Sequence, residues 1–259
     1  MELSPITEEI LQRVEEVTGT PVEVIADGSL QVLAKVTMAR PGASSHLLRV
    51  RLNRPVPDYL IAYECGFILR LYANPPAERF EFGHHDAGRA EVLQLLKAPG
   101  GLAQTLHLAE PALAQYSGML YDGLMTELRS LPIGMRIDGW IYDTYPSLRE
   151  AQSSAINEQQ RTNVQVLDPQ IRGMTPSKIY TANLSMNAAY ALFCDDLYGE
   201  GGYSVAYRTA GFAARGMQLL EQWRSIAPEP ALDRQLVDAW AQSLGLAKWY
   251  RWVPLSVGR

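Results

Sequence analysis

The stretch YLIAYECGFILRLY, Tyr59 to Tyr72, constrains this chain more than any other feature. Pro57-Asp58 opens it and Asn74-Pro75-Pro76 closes it, so it reads as a helix from Pro57 to about Ala73. Between Tyr59 and Leu69 the only charge is Glu64. An ionised carboxylate costs several kcal/mol, on the order of the whole folding free energy, to bury without partners. Glu64 must therefore be paired to an arginine, bonded to a tyrosine or tryptophan, placed at the bottom of a wet pocket, or kept as a base with a raised pKa. Gly66 costs the helix about 1 kcal/mol relative to alanine, which predicts a close approach to its backbone.

The residues before this helix set the fold class. Pro5 is followed by Ile6, Ile10, Leu11, Val14 and Val17, with acid between them, and Gly19 ends the helical period. Val22 and Val24 alternate with Glu23 as a short strand, and Asp27-Gly28 is a turn signal. Leu30 to Met38 and His46 to Asn53 each alternate with period two. That alternation predicts Arg49 and Arg51 on the outer face and Leu48, Val50 and Leu52 against the Tyr59–Tyr72 helix. After Pro76 strand signals fade. Helices are predicted at about 86–97, 103–130, 134–144, 147–165, 176–198, 209–226 and 229–245. The expected architecture is α+β: an N-terminal helix and small three-stranded sheet packed on the Glu64 helix, then a mainly helical part. Lys97-Ala98-Pro99-Gly100-Gly101 is the best boundary, dividing 1–98 from 99–259 with one shared core.

Charge and cysteine usage exclude several classes. The 259 residues carry a net charge of −5, with 10 basic and 14 acidic side chains in residues 1–110 and 13 and 14 in the rest. Neither part has the basic footprint of a protein that binds nucleic acid directly. Arg49, Arg51 and Arg54 form the one basic cluster and read as a solvated strand face. The longest uncharged run, Ile179 to Cys194, is interrupted by Asn183, Ser185 and Asn187, so no membrane span is expected. Met1-Glu2-Leu3-Ser4-Pro5 lacks the features of a secretory signal, and Cys65 and Cys194 make no disulfide framework, so a cytoplasmic location is expected.

The Glu64 helix resembles the active helix of zinc metallopeptidases, which carries H-E-x-x-H. Tyr63-Glu64-Cys65-Gly66-Phe67 stands where those families have His-Glu-x-Gly-His. The layout before it, a helix and a small sheet ending in Arg49-Val50-Arg51-Leu52-Asn53, resembles the ImmA/IrrE-like branch. The resemblance covers about residues 1–80. It implies a metallopeptidase-type fold in which Tyr63 and Phe67 replace both zinc-binding histidines. Neither can supply a neutral imidazole, so no metal and no other cofactor is expected. The family's third ligand is an acidic residue on a later helix, and Glu127 is one candidate for its position.

Other chemistry-bearing residues carry weaker signals. His84-His85-Asp86 suggests metal chemistry, but adjacent side chains diverge and Asp86 is expected to cap the following helix. His46 and His107 are isolated. Cys65 points about 100° away from Glu64 around the helix, and without a base in reach it reads as an inert thiol. Gly199, Gly201 and Gly202 follow a helix rather than a strand and form a turn, not a phosphate loop. Tyr180, Asn183, Asn187, Tyr190 and Cys194 recur at spacings of three and four and form a polar stripe. That stripe is either an interhelical hydrogen-bond network or one wall of a cavity facing Glu64. Trp223, Trp240, Trp249, Tyr250 and Trp252 crowd the C-terminal region, where they either clamp the chain end or present a partner-binding patch.

Taken with the resemblance, the residues imply a metallopeptidase-like protein without peptidase chemistry that binds a protein partner in a regulatory or defence setting. The candidate pocket comprises Tyr63, Cys65, Phe67, Tyr180, Asn183, Asn187 and Tyr190 around Glu64. The alternative is a hydrolase with an altered, zinc-free site that uses Glu64 as its acid or base.

Overall fold

A computed structural model describes residues 3–30, 32–40, 42–51, 57–98, 102–105, 107, 109–199 and 201–255. In chain order the elements are α1 (Pro5–Thr18), β1 (Val22–Ala26), β2 (Ala34–Thr37), β3 (His46–Val50), α2 (Pro57–Tyr72), β4 (Phe80–His84) and α3 (Asp86–Lys97). Then come α4 (Leu102–Thr105), α5 (Glu110–Thr144), α6 (Arg149–Val164), α7 (Pro169–Met174) and α8 (Ser177–Tyr198). The chain continues with α9 (Val205–Thr209), α10 (Ala213–Ser225), α11 (Asp233–Leu244) and β5 (Tyr250–Pro254). The fold is α+β, as its sequence implies, with an N-terminal helix, a three-stranded sheet and a helical C-terminal part.

Local chemistry explains the first half. Ser4 caps α1 by accepting from Thr7 N, and Pro5 occupies the first turn. Gly19 ends the helix at φ 71°, a left-handed conformation that glycine adopts without a Cβ penalty. Asp58, in the first turn of α2, accepts from Ser4 N at 3.3 Å and Thr7 Oγ1 at 2.6 Å, which fixes α1 on α2. The sheet order is β1-β3-β2, with β1 parallel and β2 antiparallel to β3. The Asp27-Gly28 turn therefore joins the two outer strands, not a paired hairpin. His46, Leu48 and Val50 are buried while Arg49 and Arg51 are exposed, so the period-two reading holds for those residues. Leu52 and Arg54 lie outside the described residues.

Two features differ from the sequence expectation. First, residues 110–144 form one helix through Pro132, where two helices were expected. A proline removes one intrahelical hydrogen bond. Here Pro132 sits among buried Leu128, Leu131 and Met135, and its carbonyl accepts from Trp223 Nε1 at 3.1 Å, so packing overrides the break. Second, β4 and β5, from distant parts of the chain, form an antiparallel ribbon, Phe80 opposite Pro254 and His84 opposite Tyr250. The aromatic C-terminal segment is thus a strand. Phe82 stacks on Tyr250 at 4.4 Å, and Tyr250 and Trp252 both donate to Asp238 Oδ1. Trp240 and Trp249 are fully buried, and their indole N–H groups donate to Leu219 O and Glu91 Oε2.

α5 is shared by two cores. Leu124, Leu128, Leu131 and Met135 pack with α3, α8, α10 and α11, whereas Ile137 and Ile141 pack with α1, β3, α2 and α6. Ile133 touches both. The boundary expected near residue 98 follows α3, whose Val92 and Leu96 belong to the core of the helical part. Among the described residues, no helix is long and apolar enough to cross a membrane.

Candidate functional site

α2 forms the floor of a cleft lined by both halves of the chain. Gly66 is the point of closest approach to α5: a Cβ there would lie 2.5 Å from Ile137 Cγ2. One turn away, Gly134 of α5 accommodates the Tyr63 hydroxyl, in space that a Cβ would fill. The two glycines let α5 descend onto α2, and Tyr59, Tyr63 and Phe67 form an aromatic run beside it, tilted between the first two rings and edge-on between the last two. β2 is one of the two edge strands of its sheet. One side pairs with β3, and the other directs Val36 N–H at Glu64 Oε2, 3.2 Å away.

Between β2, α2 and the β4–β5 ribbon lies a cavity of about 490 Å³. Val36 and Met38 line one wall, Phe67, Arg70 and Leu71 the floor, and Phe80, Phe82 and Trp252 the opposite wall, with Arg129 and Ile133 contributed by α5. Arg40 donates to Glu81 Oε2 at 2.7 Å and joins the end of β2 to β4. Arg234 lies over the rings of Phe80 and Trp252, 3.8 Å and 5.5 Å from their centroids. At the other end Asp233 accepts a bidentate pair from Arg70, both at 2.7 Å, and a third bond from Arg136 at 2.8 Å. The remaining guanidinium N–H groups donate to backbone carbonyls, Arg136 to Ile226 O and Ala227 O and Arg70 to Pro228 O. This arrangement supplies the additional hydrogen bonds that a buried ion pair needs.

Glu64 is half-buried beside the cleft, between Val36 and Arg129. Burial pushes its pKa up to about 7, against the opposing pull of the Val36 amide and the Arg129 charge. The polar stripe of α8 does not reach it. Asn183 Nδ2 donates instead to Glu127 Oε2 at 2.6 Å, and Asn187 Nδ2 bonds back to Asn183. Burial pushes Glu127 up to about 8. Tyr190 donates to Asp138, a fully buried carboxylate that also accepts from Tyr59 at 2.8 Å and from Gln152 at 3.2 Å. Burial raises Asp138 to about 6, and those donors hold it back. Tyr180 packs against Phe212 in a separate small cluster.

The expected pocket residues therefore separate into five places. Phe67 lines the cleft, and Tyr63 lies behind it against Gly134. Cys65 faces the core, fully buried, with its thiol pushed up to about 12, so it is no nucleophile at neutral pH. Asn183 and Asn187 serve Glu127, and Tyr190 serves Asp138. His85, rather than Asp86, caps α3, its Nδ1 accepting from Ala87 N. His46 is a buried strand residue bonded to Ala39 N and Thr18. Among the described residues, no group of three or more His, Cys, Asp and Glu side chains is arranged to hold a metal ion.

Sequence reasoning missed the ribbon wall, the Val36 amide and the Arg70–Asp233–Arg136 trio. Arg70 was the available signal, being the only other charge in the Tyr59–Tyr72 stretch. Compared with known proteins, the chain matches no family model, no curated protein and no solved structure.

Proposed function

We propose that the protein binds an extended segment of a protein partner in the cleft beside β2, as a metallopeptidase-like protein that does not cleave what it binds. The observation that carries this reading is the juxtaposition of an edge strand with an aromatic wall across a cavity of about 490 Å³. An edge strand offers main-chain hydrogen bonds, and a cavity offers pockets for alternate side chains. Glu64 occupies one edge amide and positions the strand. Tyr63 and Phe67, at the positions of the family's histidines, supply aromatic surface in place of imidazole. A cytoplasmic, regulatory or defensive setting fits a chain whose two cysteines are free and buried.

Selection of decapeptides against the purified protein tests this. Selected peptides are expected to lose at least tenfold in affinity on Met38→Glu or Arg129→Glu, which alter the cleft without emptying the core. Binding that is indifferent to both changes would overturn the reading. One feature favours the hydrolase alternative: burial pushes Glu64 up to about 7, the range of a general base. Cleavage of the selected peptides, abolished by Glu64→Gln while the fold persists, would establish that alternative instead.

A further inference from the structure

A second concavity, of about 600 Å³, lies between the start of α8, α10 and the end of α11. Its chemistry is the reverse of the cleft's. Ser177, Thr181 and Ser185 recur every fourth residue, so they share one face of α8, and Ser243 joins them from α11. Lys178 and Arg215 line it too, and no acidic side chain does, in a chain with a net charge of −5.

The hydrogen-bond state of these groups defines what they can take. Lys178 is held by Glu91 at 2.6 Å and lies over Trp249. Arg215 is exposed and bonds to no described residue. Its fork of N–H donors is open, and a guanidinium fork matches the oxygens of a phosphate or carboxylate. The hydroxyls of Ser177 and Thr181 bond to no other described residue, so they too are open to donate. Ser243 Oγ accepts from Gln222 at 2.6 Å, which leaves its hydrogen to donate. Ser185 Oγ donates to Thr181 O, which leaves it an acceptor. The wall thus presents one unneutralised guanidinium and several hydroxyls that can donate or accept. A group with three terminal oxygens takes the guanidinium and hydroxyl donors, and a neighbouring hydroxyl of the same ligand donates to a free hydroxyl oxygen of Ser177 or Thr181.

We infer that this groove binds a phosphate monoester of a small polyol, a ligand site separate from the cleft. The test measures thermal unfolding and calorimetric binding with inorganic phosphate and glycerol 3-phosphate at constant ionic strength. Both are expected to raise Tm saturably, by about 3–5 °C at ten times Kd, with glycerol 3-phosphate the tighter. Arg215→Gln, an exposed change that leaves the fold intact, should weaken both at least tenfold, and Arg129→Gln in the cleft should change neither. A rise that persists in Arg215→Gln is general stabilisation by an excluded anion and overturns the site. So does the absence of any rise, or an equal loss in Arg129→Gln. Weaker binding of glycerol 3-phosphate than of inorganic phosphate would overturn the assignment to an ester.

Discussion

Replacing Glu127 by glutamine removes a proton-binding group that folding creates. Its carboxyl has an ordinary value of 4.5 and is raised to about 8 by burial between α5 and α8. Between those values the folded protein holds one proton more than the unfolded chain. Stability contributed by Glu127 is therefore fully present below about pH 4.5 and is lost as pH rises through about 8. The slope for one such proton is about 1.4 kcal/mol per pH unit. From pH 5.5 to pH 7.5 this amounts to roughly 2–3 kcal/mol, a large share of the 5–15 kcal/mol that typically holds a domain together. Asp138 and Glu64 have the same sign, with windows that close near pH 6 and pH 7. Glutamine keeps an oxygen for Asn183 Nδ2 and does not titrate. Urea unfolding of wild type and Glu127→Gln across pH 5.5 to 8.5 checks this. Wild type should weaken as pH rises. The variant should match it near pH 6 and weaken less steeply, by about 1 kcal/mol per pH unit, up to pH 7.5. Parallel pH profiles for the two proteins, or a wild type that gains stability over this range, would refute the reasoning.

Three further perturbations follow from the same contacts. Asp233→Asn leaves Arg136, whose side chain is only 2% exposed, without its anion. It should cost about 3–5 kcal/mol in urea melts, more than Arg70→Gln, whose side chain is less completely buried than that of Arg136. Gly134→Ala drives a methyl into the Tyr63 hydroxyl and should cost about 1–3 kcal/mol by overpacking. Tyr63→Phe removes the obstructing atom, so the double variant should be clearly less than additive in a double-mutant cycle. Glu64→Gln should change stability little, whereas Glu64→Leu strands the Val36 amide and should cost about 1–3 kcal/mol in thermal melts.

The helices and the first sheet were legible because each carries its own period. Ile10 and Val14, at helical spacing, are fully buried, as are Leu48 and Val50 at strand spacing, within 3%. What escaped depends on partners far away in sequence. Phe80 to His84 is five residues with a glycine inside, and becomes a strand only because Tyr250 to Pro254 arrives beside it. Pro132 signals a break that Trp223 and the surrounding core overrule. At the site, the lone carboxylate and the glycine were readable as demands for a partner and for a close approach. The partners were not readable. Val36 is Glu64's donor only because the order β1-β3-β2 leaves β2 at the edge, and period-two alternation says nothing about strand order. The α8 stripe was visible as a stripe, but whether it met Glu64 or Glu127 depended on how α8 crosses α5.

That dependence also explains why the cleft and the fold cannot be separated. Its walls come from β2 and α2 near the start of the chain, from Arg129 and Ile133 in the middle, and from Asp233, Arg234 and Trp252 near the end. α5 holds them in register, since Ile133 packs against both cores and Ile137 meets Gly66. The Arg70–Asp233–Arg136 trio then ties α2, α5 and α11 together at one end of the cavity. The exposed Arg40–Glu81 pair links the first sheet to the ribbon, and exposed pairs contribute about 0–1 kcal/mol. The two ends of the cleft therefore differ in stiffness. The trio end is fixed by the core, while the β2–β4 end can part at little cost. On the proposed reading, a bound segment would enter at the second end and be anchored towards the first, near Arg70 and Asp233.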